Sequence, residues 1–227
     1  MPHTLTPAQE HVQRILAEQS QPQTTESTNG TLLMQLVGDK RELGALQSIE
    51  ARIARKREFL PKYTGFIEGV LSNSTGLSED DTTLLQELYV WLVDTFDLQR
   101  TSQLYDWMQT HNVALPARMN RNLAAFTAEE LSERIKAKLS AGQAIDEDTL
   151  TLLEQLTERL DAQDMHDVVR AKWYKQMGLL LASHQQYTRA HAHLSRANQL
   201  DDKCGVKTEL KRLYKLIAEQ GNSTPPQ

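Results

Sequence analysis

The sequence predicts an all-α protein, and three observations lead to that prediction. The 227 residues include only 10 glycines and 7 prolines, while leucine, alanine, glutamine and glutamate, which suit helices better than sheets, are abundant. Apolar residues recur at steps of three, four and seven, which is the period of an amphipathic helix. Cap-like residues and glycine or proline breaks divide the chain into segments of helical length.

The two ends of the chain are predicted to be irregular. Residues 1–30 read as a flexible polar arm, because the stretch that ends in QSQPQTTESTNG has no apolar periodicity. Within this arm, Thr6 as a cap and Pro7 in the first turn would suit a short helix over residues 7–18. The tail over residues 218–227, which ends in NSTPPQ, is expected to be disordered.

A single long helix is predicted over residues 31–60, with a coiled-coil-like apolar seam. Pro61 would end this helix, because proline disfavours the helical conformation in the residue before it. A seam this narrow suits a helix pair, so we expect the segment to build a homo-oligomer and to offer a candidate DNA contact. The seam consists of Leu32, Leu36, Leu43, Leu46, Ile49, Ile53 and Leu60.

Residues 61–160 are predicted to form a helical core of antiparallel hairpins. A first helix runs to about Leu71, and a hairpin over residues 81–112 turns near residues 95–97. Thr127, followed three residues later by Glu130, has the pattern of a capping box at the start of the next helix. That helix should stop at Gly142, and an acidic first turn should open the helix after it.

Residues 161–217 are predicted to form a tetratricopeptide-like hairpin followed by a C-terminal helix. In that hairpin, glycine and alanine lie where two helices cross closely. One such unit cannot bury its own face, so it should pack on the preceding helices or on another subunit. The residues that match the spacing are Tyr174, Met177, Gly178, Leu181, Tyr187, Ala190, Leu194 and Ala197.

The charge of the chain is unevenly distributed. The formal net charge is −5, yet residues 39–62 hold seven basic residues and four acids. On a helical wheel a basic stripe runs beside the seam, and one further arginine lies on the far side of it. A stripe of one sign could meet a phosphate backbone; the alternative is a solvated face whose charges a partner subunit balances. The candidate DNA-binding residues are Arg41, Arg52, Arg55, Lys56 and Arg57.

Few residues suggest catalysis. Asp94 and Asp97 are the candidate metal-binding carboxylates if the chain cuts DNA, although aspartates near a turn also cap helices. The histidine and cysteine spacings predict no metal site, so no cofactor is expected except Mg²⁺ if a nuclease activity is real. The sequence contains no GxxxxGK[ST] motif and therefore predicts no P-loop ATPase in this chain.

A cytosolic protein is expected from the remaining features. The single cysteine, Cys204, excludes a disulfide within the chain. No apolar run approaches 18 residues, and the N-terminus lacks the pattern of a signal peptide. The sequence therefore predicts no membrane partner.

The order of several motifs resembles a known family. The chain runs through KREFLPKYTGFIEGVL, then WLVDTFDLQRTSQLYDWMQTHNVALP, then FTAEEL, and closes with AHLSRANQLDDKCGVKTELKRL. This order is similar to that of the small terminase subunit of Peduovirus-like temperate tailed phages, a family usually labelled the terminase endonuclease subunit. The resemblance covers roughly residues 30–217. One departure is the C-terminus, since family members can end in a long tail rich in lysine, arginine and proline.

The resemblance implies a role in viral DNA packaging in the cytoplasm of the bacterial host. Such a subunit is expected to recognise the cohesive-end (cos) site of double-stranded phage DNA, to form a homo-oligomer, and to assemble with the large terminase ATPase subunit. Whether this chain or the large subunit cuts the DNA stays open, because the sequence contains no recognised nuclease motif. A second hypothesis is a helical protein-interaction adaptor that binds no DNA.

Overall fold

The computed structural model describes the backbone of residues 25–222 and the side chains of residues 30–220. Over this range the chain is α-helical with two short 3₁₀ turns, Leu60–Tyr63 and Ala117–Met119, which confirms the all-α prediction. None of the helices in this range is long and apolar enough to cross a membrane. The helices are α1 (Thr25–Ala45), α2 (Ile49–Phe59), α3 (Thr64–Ser72), α4 (Glu79–Thr95), α5 (Leu98–Thr110), α6 (Leu123–Ser140), α7 (Glu147–Asp161), α8 (Asp167–Ser183), α9 (Tyr187–Leu200) and α10 (Lys207–Asn222).

The ends of the described region differ from the predicted boundaries. Helix α1 begins at Thr25, so the last six residues of the predicted arm over 1–30 are helical. Helix α10 continues to Asn222, past the predicted start of the tail at residue 218. Residues 1–24, including the helix predicted over 7–18, and residues 223–227 lie outside the described part of the chain.

Helix α4 lies at the centre of the hydrophobic core. It packs against α1, α2, α5 and α6, and nearly every side chain from Leu84 to Val93 is buried. The α4–α5 turn falls at Phe96, as predicted; this residue adopts the left-handed conformation (φ 63°) that ends a helix. The hairpin buries large apolar side chains from both of its helices, namely Tyr89, Leu92, Leu104, Tyr105 and Met108.

The long helix predicted over residues 31–60 is divided into two helices. Helix α1 ends at Ala45, and α2 begins after Ser48, whose extended backbone and side chain cap the amide of Ala51 at 3.3 Å. Serine competes with the helix by bonding to nearby backbone amides, which explains the break. The predicted seam is interrupted at the break: Leu36, Leu43 and Leu60 are buried, whereas Ile49, the first residue of α2, is 66% exposed.

Helix α6 begins five residues earlier than the capping box suggested. Asn122 is the N-cap, and its side chain accepts a hydrogen bond from the amide of Ala125 at 2.7 Å. Thr127 lies inside the helix instead, where its hydroxyl donates to the carbonyl of Leu123. The predicted stop at Gly142 is present, since this glycine takes a positive φ of 66° after the last turn.

Helices α8, α9 and α10 form the C-terminal part of the fold. Helices α8 and α9 pair as the predicted antiparallel hairpin, α6 packs on α8, and α10 follows on α9. Gly178 lies where α8 and α9 come closest, beside Leu194 and the carbonyl of Ala190. Pairing and close crossing agree with the sequence pattern, while the tetratricopeptide-like character of the hairpin stays a prediction.

Candidate nucleic-acid interface

Helix α1 is fixed to the core by two adjacent charged residues, Asp39 and Lys40. Asp39 is buried and accepts hydrogen bonds from Lys62 at 2.9 Å and from the hydroxyl of Tyr63 at 2.8 Å. Lys40 extends to the buried carboxylate of Glu87 on α4, at 2.9 Å. These contacts hold the next residue, Arg41, in a fixed position. The side chain of Arg41 is exposed and has no partner within the described residues.

Arg52 closes the connection between α1 and α2. Its Nε donates to the carbonyl of Leu46 at 2.8 Å, and the side chain is half-buried. This bond satisfies a carbonyl that the end of α1 leaves without a helical partner. Arg52 therefore has a structural contact of its own.

Lys56 faces the core of the protein. It forms an ion pair with Asp94 of α4, and the two side chains are only 15% and 17% exposed. Its neighbour Arg57 donates to the carbonyl of Thr95 at 3.3 Å, at the C-terminal end of α4, yet remains exposed. Both contacts attach α2 to the end of α4.

Arg55 points into solvent on another side of α2. It pairs with Glu58 at 2.8 Å, but the two side chains are 45% and 63% exposed. Pairs this exposed contribute only a few tenths of a kcal/mol, so a phosphate could displace the carboxylate. The five candidates thus fall into two sets, since Arg41, Arg55 and Arg57 are exposed while Arg52 and Lys56 are held inside.

The break between α1 and α2 also separates residues that one helical wheel had aligned. Arg41 now belongs to α1, and Arg55 belongs to α2. Arg57 lies two residues beyond Arg55, which corresponds to roughly 200° around a helix. The exposed arginines therefore surround this end of the molecule and do not form one stripe. Their part in DNA binding stays a prediction.

The two candidate carboxylates have structural partners. Asp94 pairs with Lys56. Asp97 is the N-cap of α5, where it accepts from the amide of Arg100 at 3.3 Å and pairs with its guanidinium at 2.7 Å. Among the described residues, no group of three or more histidines, cysteines or acids is arranged to hold a metal ion.

Glu130 of α6 is a further acid in this region, which the sequence pattern had assigned to helix capping. Burial raises the pKa of Glu130, and the negative charge of Asp94 raises it further. The two carboxylates therefore lie close enough to repel each other, although they are 36 residues apart in sequence. No signal in the sequence links them, because the approach of α6 to α4 creates the contact.

Comparison with known proteins identifies the family. The family model described as phage small terminase subunit matches residues 33–167, which is more than half of the chain. The chain belongs to the phage small terminase subunit family. Membership implies a role in viral DNA packaging, with DNA and the large terminase subunit as partners.

Two curated relatives are similar to this terminase subunit over most of its length. It is 31% identical over 225 residues to the "Terminase, endonuclease subunit" of Escherichia phage P2, covering 97% of this chain and 89% of the relative. It is 26% identical over 216 residues to the "Probable terminase, endonuclease subunit" of Haemophilus phage HP1 (strain HP1c1), covering 88% of this chain and 74% of the relative. No solved structure matches the chain.

Proposed function

We propose that this terminase subunit recognises the cos site of double-stranded viral DNA and assembles with the large ATPase subunit in the cytoplasm of the bacterial host. The observation that supports this most directly is the exposure of Arg41, Arg55 and Arg57 at one end of an otherwise acidic chain. Arginine at such positions suits phosphate binding, because its planar guanidinium makes paired hydrogen bonds to phosphate oxygens.

A homo-oligomer is part of this proposal. With three phosphate contacts per chain, log K for DNA binding would fall with log salt concentration with a slope of about −3. So few contacts imply that a single subunit binds DNA weakly. Copies joined in one assembly multiply the affinity through effective concentration. Apolar side chains exposed on α1 and α2, namely Met34 (78%), Val37 (46%) and Ile49 (66%), support self-association through these helices. The mass of the purified subunit with and without cos DNA tests this step.

We expect Arg41→Glu combined with Arg55→Glu to weaken binding to a cos duplex at least tenfold in about 0.1 M salt. Each reversal removes a phosphate contact and adds repulsion. Arg41 has no partner within the described residues, and Arg55 contacts the core only through its guanidinium, 5.8 Å from the centre of the Phe59 ring. Fluorescence anisotropy against NaCl concentration, with a scrambled duplex of the same length, measures both affinity and cos preference. Arg52 and Lys56 are poor targets, because their substitution would also break the contacts to Leu46 and Asp94.

The matched control is Lys136→Glu combined with Arg196→Glu. These two cations are exposed on α6 and α9, and the double substitution changes the net charge by the same amount. The control should keep most of the affinity. Equal loss in both variants would show that only net charge matters and would contradict an interface at Arg41 and Arg55. A wild-type protein that binds no DNA even at low salt would favour the adaptor hypothesis.

The names of the two relatives favour a second candidate function, an endonuclease. The observation behind it is that the negative charge of Asp94 acts on Glu130 where α4 and α6 pack together. Carboxylate oxygens are the ligands that Mg²⁺ prefers, so Asp94 and Glu130 would be the residues to hold it, in exchange for their present partners Lys56 and Arg121. Mg²⁺ bound there would neutralise charge on a phosphodiester.

Asp94→Asn is expected to lower the free energy of unfolding by about 1 kcal/mol, because Lys56 loses the negative charge of its partner. If the chain is a nuclease, Asp94→Asn and Glu130→Gln should also abolish nicking of cos plasmid in Mg²⁺ by the purified subunit. Asp97→Asn is the control, since asparagine caps a helix as well as aspartate does. Nicking that survives both Asp94→Asn and Glu130→Gln would contradict an active site here, and urea denaturation reports the stability of each variant.

A further inference from the structure

The outer face of α10 presents a row of basic residues. Lys207, Lys211 and Lys215 recur every four residues, which places them on one side of the helix. Tyr214 lies beside them and is 69% exposed. We call these four residues the α10 lysine face.

The opposite side of α10 attaches the helix to the protein. Val206 and Leu213 are buried, and Leu210 and Leu216 pack against the core. On a helical wheel the buried Leu213 lies roughly 160° from Lys211, so the lysine face points away from α9. The row of lysines is therefore held in a fixed orientation and remains open to solvent.

Helix α10 carries a net positive charge, although the chain as a whole is acidic. Helix α10 contains four basic residues, Lys207, Lys211, Arg212 and Lys215, and two acids, Glu209 and Glu219. Glu209 is engaged by the guanidinium of Arg212, with Nε at 2.9 and 3.0 Å from its two oxygens. None of the three lysines forms an ion pair with another described residue, in contrast to Lys56.

We propose that the α10 lysine face is a second contact for the phosphate backbone of duplex DNA. Successive lysines are separated by about 6 Å along the helix axis, given a rise of 1.5 Å per residue. A DNA strand carries one phosphate per about 3.4 Å of duplex axis, so three lysines spread over roughly 12 Å can face three or four successive phosphates. The hydroxyl of Tyr214 is a further donor to a phosphate oxygen. The inference rests on the proposed function in one respect, namely that the polyanion is DNA.

The test is Lys211→Gln combined with Lys215→Gln in the full-length protein. Glutamine keeps the helix propensity of lysine, and both positions are exposed, so the melting temperature should not change. Loss of two phosphate contacts should make the slope of log K against log salt shallower by about 2 and reduce the affinity for a duplex at least tenfold in about 0.1 M salt. The loss should be equal for cos and scrambled duplexes, because backbone contacts carry no sequence information.

Lys136→Gln combined with Arg196→Gln is the matched control and should leave the slope unchanged. An unchanged slope for Lys211→Gln with Lys215→Gln, in a protein whose wild type binds DNA, would overturn this inference and leave the proposed function intact. Loss of binding to the large subunit with DNA affinity retained would assign the face to an acidic protein surface and would also overturn it. A wild type that binds no duplex at low salt would overturn both proposals.

Discussion

Replacing Gly178 with valine is expected to lower the free energy of unfolding by about 3 kcal/mol. A Cβ at this position would lie 2.6 Å from Cδ2 and 2.7 Å from Cγ of Leu194, and 3.1 Å from the carbonyl oxygen of Ala190. Leu194 is fully buried and the carbonyl belongs to the backbone of α9, so neither can move without displacing its neighbours. To accommodate the valine, helices α8 and α9 must separate. Urea denaturation monitored by circular dichroism measures the resulting loss in the free energy of unfolding.

The control for this substitution is Gly69→Ala in α3. Nothing lies within 4 Å of a Cβ added at Gly69, so alanine there should raise the stability by about 0.5–1 kcal/mol through helix propensity alone. Gly178→Ala receives the same gain from propensity but must overcome the contact with Leu194, and it should therefore be less stable than Gly69→Ala. An equal gain in stability for Gly178→Ala and Gly69→Ala would contradict a close contact between α8 and α9 at Gly178.

The sequence was most informative where local chemistry decides the structure. Alternation of apolar residues and turn residues predicted the α4–α5 hairpin and its turn near residue 96, because burial of one face and the end of a helix are both local events. Gly178 and Ala190 likewise predicted a close helix pair, since only small residues permit that approach.

The break in the first predicted helix shows why an apolar period alone was insufficient. The pattern continues from Leu43 through Leu46 to Ile53, but Ser48 offers the backbone an alternative partner, and Arg52 satisfies the carbonyl of Leu46. A helical wheel assumes that the helix is continuous, so the wheel aligned Arg41 with Arg55 although they belong to different helices. At this point the capping residue Ser48 ends the helix although the apolar period continues.

The charge of the basic segment could not be judged within one window of sequence. Residues 39–62 contain more bases than acids, yet two acids that balance them, Glu87 and Asp94, come from α4. The same limitation hid Glu130, whose proximity to Asp94 depends on the packing of α6. Residue type alone could not distinguish the candidates that hold the core from those that face solvent, because that distinction depends on the fold.

Lys40→Met combined with Arg118→Met is expected to lower the free energy of unfolding by about 3 kcal/mol at pH 7. Glu87 is 4% exposed and receives Lys40 from α1 together with both terminal nitrogens of Arg118. Without these partners a buried carboxylate keeps its charge with nothing to balance it, which costs far more than the ion pairs themselves contribute. Chemical denaturation at pH 7 measures the loss.

The pH dependence of this variant gives a second measurement. Burial raises the pKa of Glu87, but the hydrogen bonds and charges of Arg118 and Lys40 more than offset burial, so the pKa lies below its ordinary value. In the wild type, Glu87 therefore contributes stability above about pH 4.5, and this contribution is lost as the pH falls through the lowered pKa. In the Lys40→Met, Arg118→Met variant, burial acts on Glu87 without the two cations, so the pKa of Glu87 is raised. Protonation of Glu87 at low pH then removes the cost of burying its charge. The difference in stability between the two proteins should thus shrink as the pH is lowered from 7 to 4.

Adding Glu87→Gln to the double variant isolates the buried charge as the cause. Glutamine has nearly the same shape but no charge, so the triple variant should recover about 2 kcal/mol of the loss at pH 7. Glu87→Gln alone should cost only about 1 kcal/mol, because Lys40 and Arg118 are 43% and 49% exposed and can turn into solvent. Glu87→Gln would then lower the stability of the wild type and raise that of the double variant, which would demonstrate strong coupling between Glu87 and its two cationic partners. If Glu87→Gln costs the same stability in both backgrounds, the Glu87 carboxylate does not remain as an unbalanced buried charge when Lys40 and Arg118 are replaced. Apolar packing around Leu36 and Leu43 alone would then hold α1 to α4.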